Sequence, residues 1–310
     1  MKTSSPPVIG IPQAMLYHRY AALWRAFFRE LCIETVVSGP TSRKVLEDGS
    51  NLAVDETCLS AKIFFGHVKG LVGRCEYILI PRISSFGHHR DMCVRFQSLY
   101  DQARNLFHGT EQKFLTYNLD MEFGITEEDA FLEMGVSLGL PKREVRKAYA
   151  AAKKEEQRDW EERLKKQKQL IKADGLKILL AGHSYLLEDS YIGRAVTDLL
   201  RELEVLPIRA DIIDRERALK NSGELSSTCK WELSRELLGG IEEYRENVDG
   251  IILISAFPCG PDAMVNELLT RRIKDLPLLN LVLDSQSGTA GIETRLESFV
   301  DIIRLNKGVL

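Results

Sequence analysis

The sequence predicts an α/β protein: two parallel-sheet domains of the Rossmann or flavodoxin-like kind, joined by a long charged helix. Three observations carry this expectation. Short aliphatic runs alternate with helix-periodic segments in both halves of the chain, the pattern of parallel strands linked by crossovers. One continuous stretch, Lys142–Lys172, holds 18 charged residues in 31 and only a sparse apolar stripe. At 310 residues the chain is long enough for two domains of ordinary size. The expected division is an N-terminal α/β domain over 1–140, a charged helical linker over 141–174 and a C-terminal α/β domain over 175–310.

In the first domain, Val8-Ile-Gly-Ile-Pro12 reads as a short strand. Tyr20, Leu23, Phe27 and Leu31 then recur at helical spacing. Ile33–Val37 is the next strand, stopped by Gly39-Pro40. Asp55–Val72 has helical periodicity, Tyr77–Pro81 is an aliphatic strand, and Phe114–Tyr117 is a weaker one. The charged stretch that follows carries 12 basic and 6 acidic residues, with Val145, Tyr149, Trp160, Leu164 and Ile171 as its apolar stripe. Such a pattern fits a long helix packed along one side with its charges solvated. Asp174-Gly175 supplies the stop.

The second domain is more regular. Lys177–Gly182, Leu206–Arg209, Gly250–Ser255 and Leu278–Leu283 are strands, with helices expected over Ser190–Leu203, Trp231–Tyr244, from Pro261-Asp262 onward, and Ile292–Ile303. In parallel sheets of this kind, binding residues gather just past the carboxyl ends of the strands.

Composition narrows the function. With 44% hydrophobic and 28% charged residues and a formal charge of −3, the chain has no basic excess to suggest nucleic acid. No apolar run approaches the roughly 18 residues of a membrane span. The start, Met1-Lys-Thr-Ser-Ser-Pro-Pro, lacks a secretory apolar region, so the expected location is cytoplasmic. Six cysteines, at 32, 58, 75, 93, 229 and 259, are scattered without a Cys-x-x-Cys, which argues against a disulfide scaffold or zinc ribbon. There is no phosphate-binding Gly-x-x-x-x-Gly-Lys-Ser/Thr, no Gly-x-Gly-x-x-Gly after a strand and no Gly-x-Ser-x-Gly elbow.

The strand-to-helix turns contain cysteine instead. Cys259 follows a buried strand and precedes a helix opened by Pro261, where the helix dipole favours thiolate. Gly260 removes side-chain bulk beside it. Cys58 lies near the start of a helix, and Cys93 in the polar segment after the Tyr77–Pro81 strand. Cys32 and Cys75 read as small core or near-core residues, and Cys229 as structural. His183 and Asp284 each follow a strand and are placed to face a cleft; His88-His89 is a polar loop pair. On these residues alone Cys259 fits a nucleophile paired with His183, a metal ligand, or a structural thiol.

Several ordered stretches together resemble one family. They are Ile9-Gly-Ile-Pro-Gln-Ala-Met-Leu-Tyr17 with Leu23-Trp-Arg-Ala-Phe-Phe28, Glu56-Thr-Cys-Leu-Ser-Ala-Lys62 followed by Gly66-His-Val68, Phe257-Pro-Cys-Gly-Pro-Asp262, and Leu283–Glu297. The family is that of activase-associated relatives of 2-hydroxyacyl-CoA dehydratase subunits, which includes the double-cubane cluster proteins. The resemblance spans nearly the whole chain.

The resemblance implies that Cys58, Cys93 and Cys259 hold a [4Fe–4S] cluster, or half of a bridged [8Fe–9S] double cubane, in a cleft between the domains. Lys62, His183, Gly260 and Asp284 would line its surroundings. An ATP-dependent activase would donate low-potential electrons for reductive chemistry on a small molecule or acyl-CoA. The partner in a bridged cluster would be a second copy or a related cluster subunit; neither nucleic acid nor membrane is expected. A cluster-free accessory subunit binding an activase or dehydratase partner is the alternative. Relatives carry Pro after the first two cysteines, whereas Leu59 and Val94 stand here. These departures spare the thiols but alter their turns.

Overall fold

The structure is a computed structural model that describes residues 6–285 and 289–308. The chain divides into two compact units. One comprises residues 1–55 and 61–160, the other residues 56–60 and 161–310. The sequence pattern groups Cys58 with the N-terminal domain; by its contacts the pentapeptide Glu56–Ser60 belongs to the second unit.

The first unit contains strands β1 (Ile9–Ile11), β2 (Thr35–Val37), β3 (Tyr77–Leu79), β4 (Arg82–Ser85), β5 (Lys113–Leu115) and β6 (Asn118–Asp120). Four of them form a parallel sheet in the order β2-β1-β3-β5, with Ile9 opposite both Thr35 and Tyr77. β4 and β6 pair as a separate parallel ribbon that the sequence pattern does not predict. At three or four residues each, they are too short for an alternating pattern to stand out.

The helices Arg43–Leu52, Val94–Leu106 and Glu127–Ser137 also go beyond the sequence expectation. Arg43–Leu52 and Val94–Leu106 are polar overall, and the local signals of all three are easily passed over. Ser42 caps the first, Thr126 and Asp129 form a capping box on the third, and Phe96, Leu99 and Ala103 make the buried stripe of the second. The helix expected over Asp55–Val72 runs from Leu59 to Leu71. It crosses Arg43–Leu52 at two glycines. A Cβ on Gly49 would stand 1.8 Å from the Lys62 carbonyl oxygen, and one on Gly66 would stand 1.9 Å from that of Val45. Only hydrogen at both positions allows backbone to meet backbone.

The charged stretch is one helix, Lys142–Lys172, as its periodicity predicts. Val145, Ala148 and Ala152 are buried on its stripe.

In the second unit β7 (Leu176–Ala181), β8 (Val205–Arg209), β9 (Gly250–Ala256) and β10 (Leu278–Leu283) form a parallel sheet in the order β10-β9-β7-β8. β9 is buried along its entire length, which explains its unbroken aliphatic run. Leu179, Ile208, Ile251 and Leu253 pack with Leu238, Ile241 and Leu269 in the core. The two-domain α/β architecture with parallel sheets is as the sequence predicts. In both sheets the chain winds first to one side and then to the other, reversing between β1 and β3 and between β7 and β9. The crevice at such a reversal is where α/β sheets bind ligands. Among the described residues, no helix is long and apolar enough to cross a membrane.

Candidate functional site

The reversal in the second sheet lies between β7 and β9, and the turns leaving those two strands carry His183 and Cys259. Cys259 N donates to the Ala256 carbonyl at 2.8 Å, folding the chain back after β9. The thiol residue then takes the cap position of the helix Gly260–Arg272, with Pro261 in its first turn. Beyond its chain neighbours and its own helix, nothing lies within 4 Å of where a Cβ on Gly260 would be, so the space expected beside this glycine is there.

Cys58 reaches the same unit from far away in the sequence. Leu59 N, one residue beyond it, donates to the Phe257 carbonyl at 2.9 Å, two residues before Cys259. Both cysteines are half-buried, and Cys58 is among the groups that act on the Cys259 thiol. Cys58 immediately precedes the helix Leu59–Leu71, and Cys93 is the cap residue of Val94–Leu106 in the first unit. All three thiols indicated by the family resemblance therefore stand directly before a helix.

The other cysteines do not share this placement. Cys32 follows the helix Tyr17–Glu30 with a left-handed backbone (φ 55°) and is exposed, not near-core as its sequence suggests. Cys75 Sγ donates to the Leu71 carbonyl at 3.6 Å, and Cys229 Sγ to that of Trp231 at 4.0 Å. Both are packed structural thiols, and burial pushes both up.

Asp262, three residues after Cys259, is not singled out by the sequence as a site residue. It is only 5% exposed. His183 Nε2–H donates to Asp262 Oδ1 at 2.8 Å, both side chains being buried. Asp262 Oδ2 is buried too and has no hydrogen-bond partner among the described residues. Burial works against charge on His183, but the Asp262 carboxylate, aided by Asp211 and Glu236, outweighs it and raises the imidazole above its ordinary value. The only hint of this pair in the sequence is an acidic residue in a helix's first turn, which ordinarily complements the dipole.

These contacts correct the expected Cys259 thiolate. Burial pushes the thiol far up and the Asp262 carboxylate adds to it, while the Asp262 N–H of the helix start works the other way and loses. The site is the reverse of an activated nucleophile, which needs a depressed thiol and an imidazole beside the sulfur. Here the imidazole is hydrogen-bonded to Asp262.

The remaining candidates are dispersed. Lys62 lies in the first unit, where its Nζ donates to the Asp55 carbonyl at 3.1 Å. Asp284 follows β10 at the carboxyl edge of the second sheet and is exposed. Gln286, Ser287 and Gly288 of the Leu283–Glu297 signature lie outside the described residues. His88 and His89 are exposed in the loop after β4, their ring centroids 3.8 Å apart. His67, from Gly66-His-Val68, is a buried hub in the first unit. Ser38 Oγ lies 2.8 Å from its Nδ1 and Thr41 Oγ1 2.9 Å from its Nε2, while Gln13 N donates to the same Ser38 hydroxyl.

No three His, Cys, Asp or Glu side chains among the described residues gather into a group that could hold a metal ion. The second unit supplies two sulfur donors at helix starts, Cys58 and Cys259, and the first unit supplies Cys93. As soft ligands preceding helical N–H groups, these thiols suit iron–sulfur chemistry by donor type.

Residues 8–213 match a protein family described as the CoA enzyme activase uncharacterised domain. The matched span covers about two thirds of the chain, includes Cys58, Cys93 and His183, and ends before Cys259 and Asp262. No curated protein matches the chain.

Proposed function

The chain belongs to the CoA enzyme activase uncharacterised domain family, and from that premise we propose that it is an iron–sulfur protein of the activase-linked dehydratase system. Cys58, Cys93 and Cys259 are its ligands, and an ATP-dependent activase is its electron donor. A cluster held by these three thiols would supply one-electron chemistry at low potential. The acceptor is an acyl-CoA or another small molecule.

The observation that carries this reading is the common placement of the three thiols. Each directly precedes a helix, and the Leu59–Phe257 hydrogen bond brings the turns of Cys58 and Cys259 together. The chain's own groups have definite tasks. Helix-start N–H groups offset negative charge on the sulfurs. The open space at Gly260 leaves room beside Cys259. The pair of Asp262 and His183 holds the turn against the end of β7. The absence of a phosphate-binding loop suits a recipient of electrons from an ATP-hydrolysing partner.

Anaerobic reconstitution followed by iron and acid-labile sulfide analysis tests the proposal. About four irons per chain with matching sulfide are expected of a cubane site. A chain that stays metal-free sinks the proposal and leaves the accessory-subunit reading.

A further inference from the structure

We propose that the exposed turn Met121–Thr126 docks into a lysine-lined groove on the helix Lys142–Lys172 of a second copy of this chain. Neither surface includes a thiol, and the contact needs no metal, so it goes beyond the function proposed above.

Met121, Glu122, Phe123, Gly124, Ile125 and Thr126 are exposed in succession, and Phe123 is 82% exposed. Three large apolar side chains turned to solvent in one short run mark an interaction site. The turn is also held firmly. Asp120 and Ile125 exchange backbone hydrogen bonds at 3.1 and 2.9 Å, Gly124 takes a left-handed backbone (φ 79°), and the capping box of Thr126 and Asp129 follows at once. An aromatic side chain on a rigid support loses little freedom on docking, which is what an anchor residue needs. The stretch Asp120–Asp129 holds five acids and no base. Lys153 offsets Glu127 and Arg146 offsets Glu128, whereas Glu122, next to Phe123, has no ion pair among the described residues.

The complementary surface is encoded in the same sequence. From Arg163 to Lys172 the long helix holds five bases and no acid. Arg163 is paired with Glu188 at 2.8 Å, but Lys165, Lys168 and Lys172 have no ion pair among the described residues. With Leu164 and Gln169 they line an open groove of about 400 Å³, and Glu161 stands at its N-terminal end. Their spacing places them on one helix face. Leu164 offers apolar contact and the lysines offer positive charge, the inverse of Phe123 beside Glu122. Burial of Phe123 supplies most of the attraction, while the exposed charges mainly set orientation and partner choice. Both surfaces are exposed within one chain, and each matches the other in charge, so the occupant is a second copy.

Sedimentation velocity on the iron-free chain is the test. The wild type is expected to self-associate at high micromolar concentration, and less so as salt rises. Phe123→Ser, at a position outside the core, should weaken association about thirtyfold, the loss of one anchor residue. Glu122→Lys and Lys168→Glu should each weaken it as well. An equimolar mixture of these two variants should associate again, because the reversed turn of one meets the reversed groove of the other. Recovery on mixing separates docking from a folding defect. A wild type that stays monomeric, an association that Phe123→Ser leaves intact, or a mixture that fails to recover overturns the proposal. Iron content decides the cluster assignment separately, so either can fail while the other stands.

Discussion

His183 and Asp262, 2.8 Å apart and both buried, tie the turn after β7 to the first turn of the helix after β9. They bridge the point where the second sheet reverses its winding, and they do so directly beside Cys259. The bond commits the imidazole Nε2–H to one oxygen of Asp262 and leaves the other open.

Removing Asp262 should therefore be costly. Asp262→Ala leaves a buried imidazole without its carboxylate and is expected to destabilise the chain by about 3 kcal/mol, as for other broken buried pairs. Because the folded-state value of His183 is raised, the pair's ionic contribution is complete below the unfolded value of about 6.5 and is lost as pH rises through the folded value. Urea unfolding should show the largest gap between wild type and variant near pH 6, narrowing at alkaline pH. A gap that widens with pH would refute this account.

His67 should show the opposite dependence. Burial, followed by the neighbouring His18, pushes its imidazole down to about 4. A depressed value means stability that is present above the unfolded value and lost as pH falls through the folded one. Between about pH 6.5 and 4 the loss should approach about 3 kcal/mol. His67→Gln should flatten the curve in this window. An imidazole that titrates near 6.5 by NMR would contradict the prediction.

The crossing of Arg43–Leu52 with Leu59–Leu71 depends on missing side chains. Gly49→Ala would drive a methyl into the Lys62 carbonyl and is expected to cost about 3 kcal/mol through overpacking. Gly70 is in the same helix as Gly66, but a methyl there would meet nothing within 4 Å. Gly70→Ala should gain about 0.5 kcal/mol from helix propensity. Thermal unfolding of both variants separates close approach from propensity.

Cysteine replacement should divide the six thiols by position. Cys58→Ser, Cys93→Ser and Cys259→Ser are each expected to impair iron and sulfide retention after reconstitution, whereas Cys32→Ser and Cys75→Ser retain both. An equal loss from Cys32→Ser would void the ligand assignment.

In the metal-free chain, Cys259 should react slowly with iodoacetamide at neutral pH, since burial and Asp262 keep it a thiol. Exposed Cys32 serves as the comparison in peptide mass spectrometry. Rapid, selective labelling of Cys259 would revive the nucleophile reading.

The α/β class and most of the strands are legible from local pattern, because a strand buried on both faces needs an unbroken aliphatic run, as in Gly250–Ala256. The long helix Lys142–Lys172 is legible for a similar reason: only a sparse stripe of it is buried, and charge fills the rest. Cys259 at a strand-to-helix turn can also be read from Pro258, Gly260 and Pro261, which punctuate the chain there. What only tertiary structure decided is which distant groups meet. No local rule joins Leu59 to Phe257, or His183 to Asp262, since hydrogen bonds between turns depend on strand order rather than on spacing in the chain. The state of the Cys259 thiol follows from that meeting. The helix dipole, visible from sequence, favours the thiolate, but burial and a carboxylate three residues away outweigh it, and neither is known until the chain is folded.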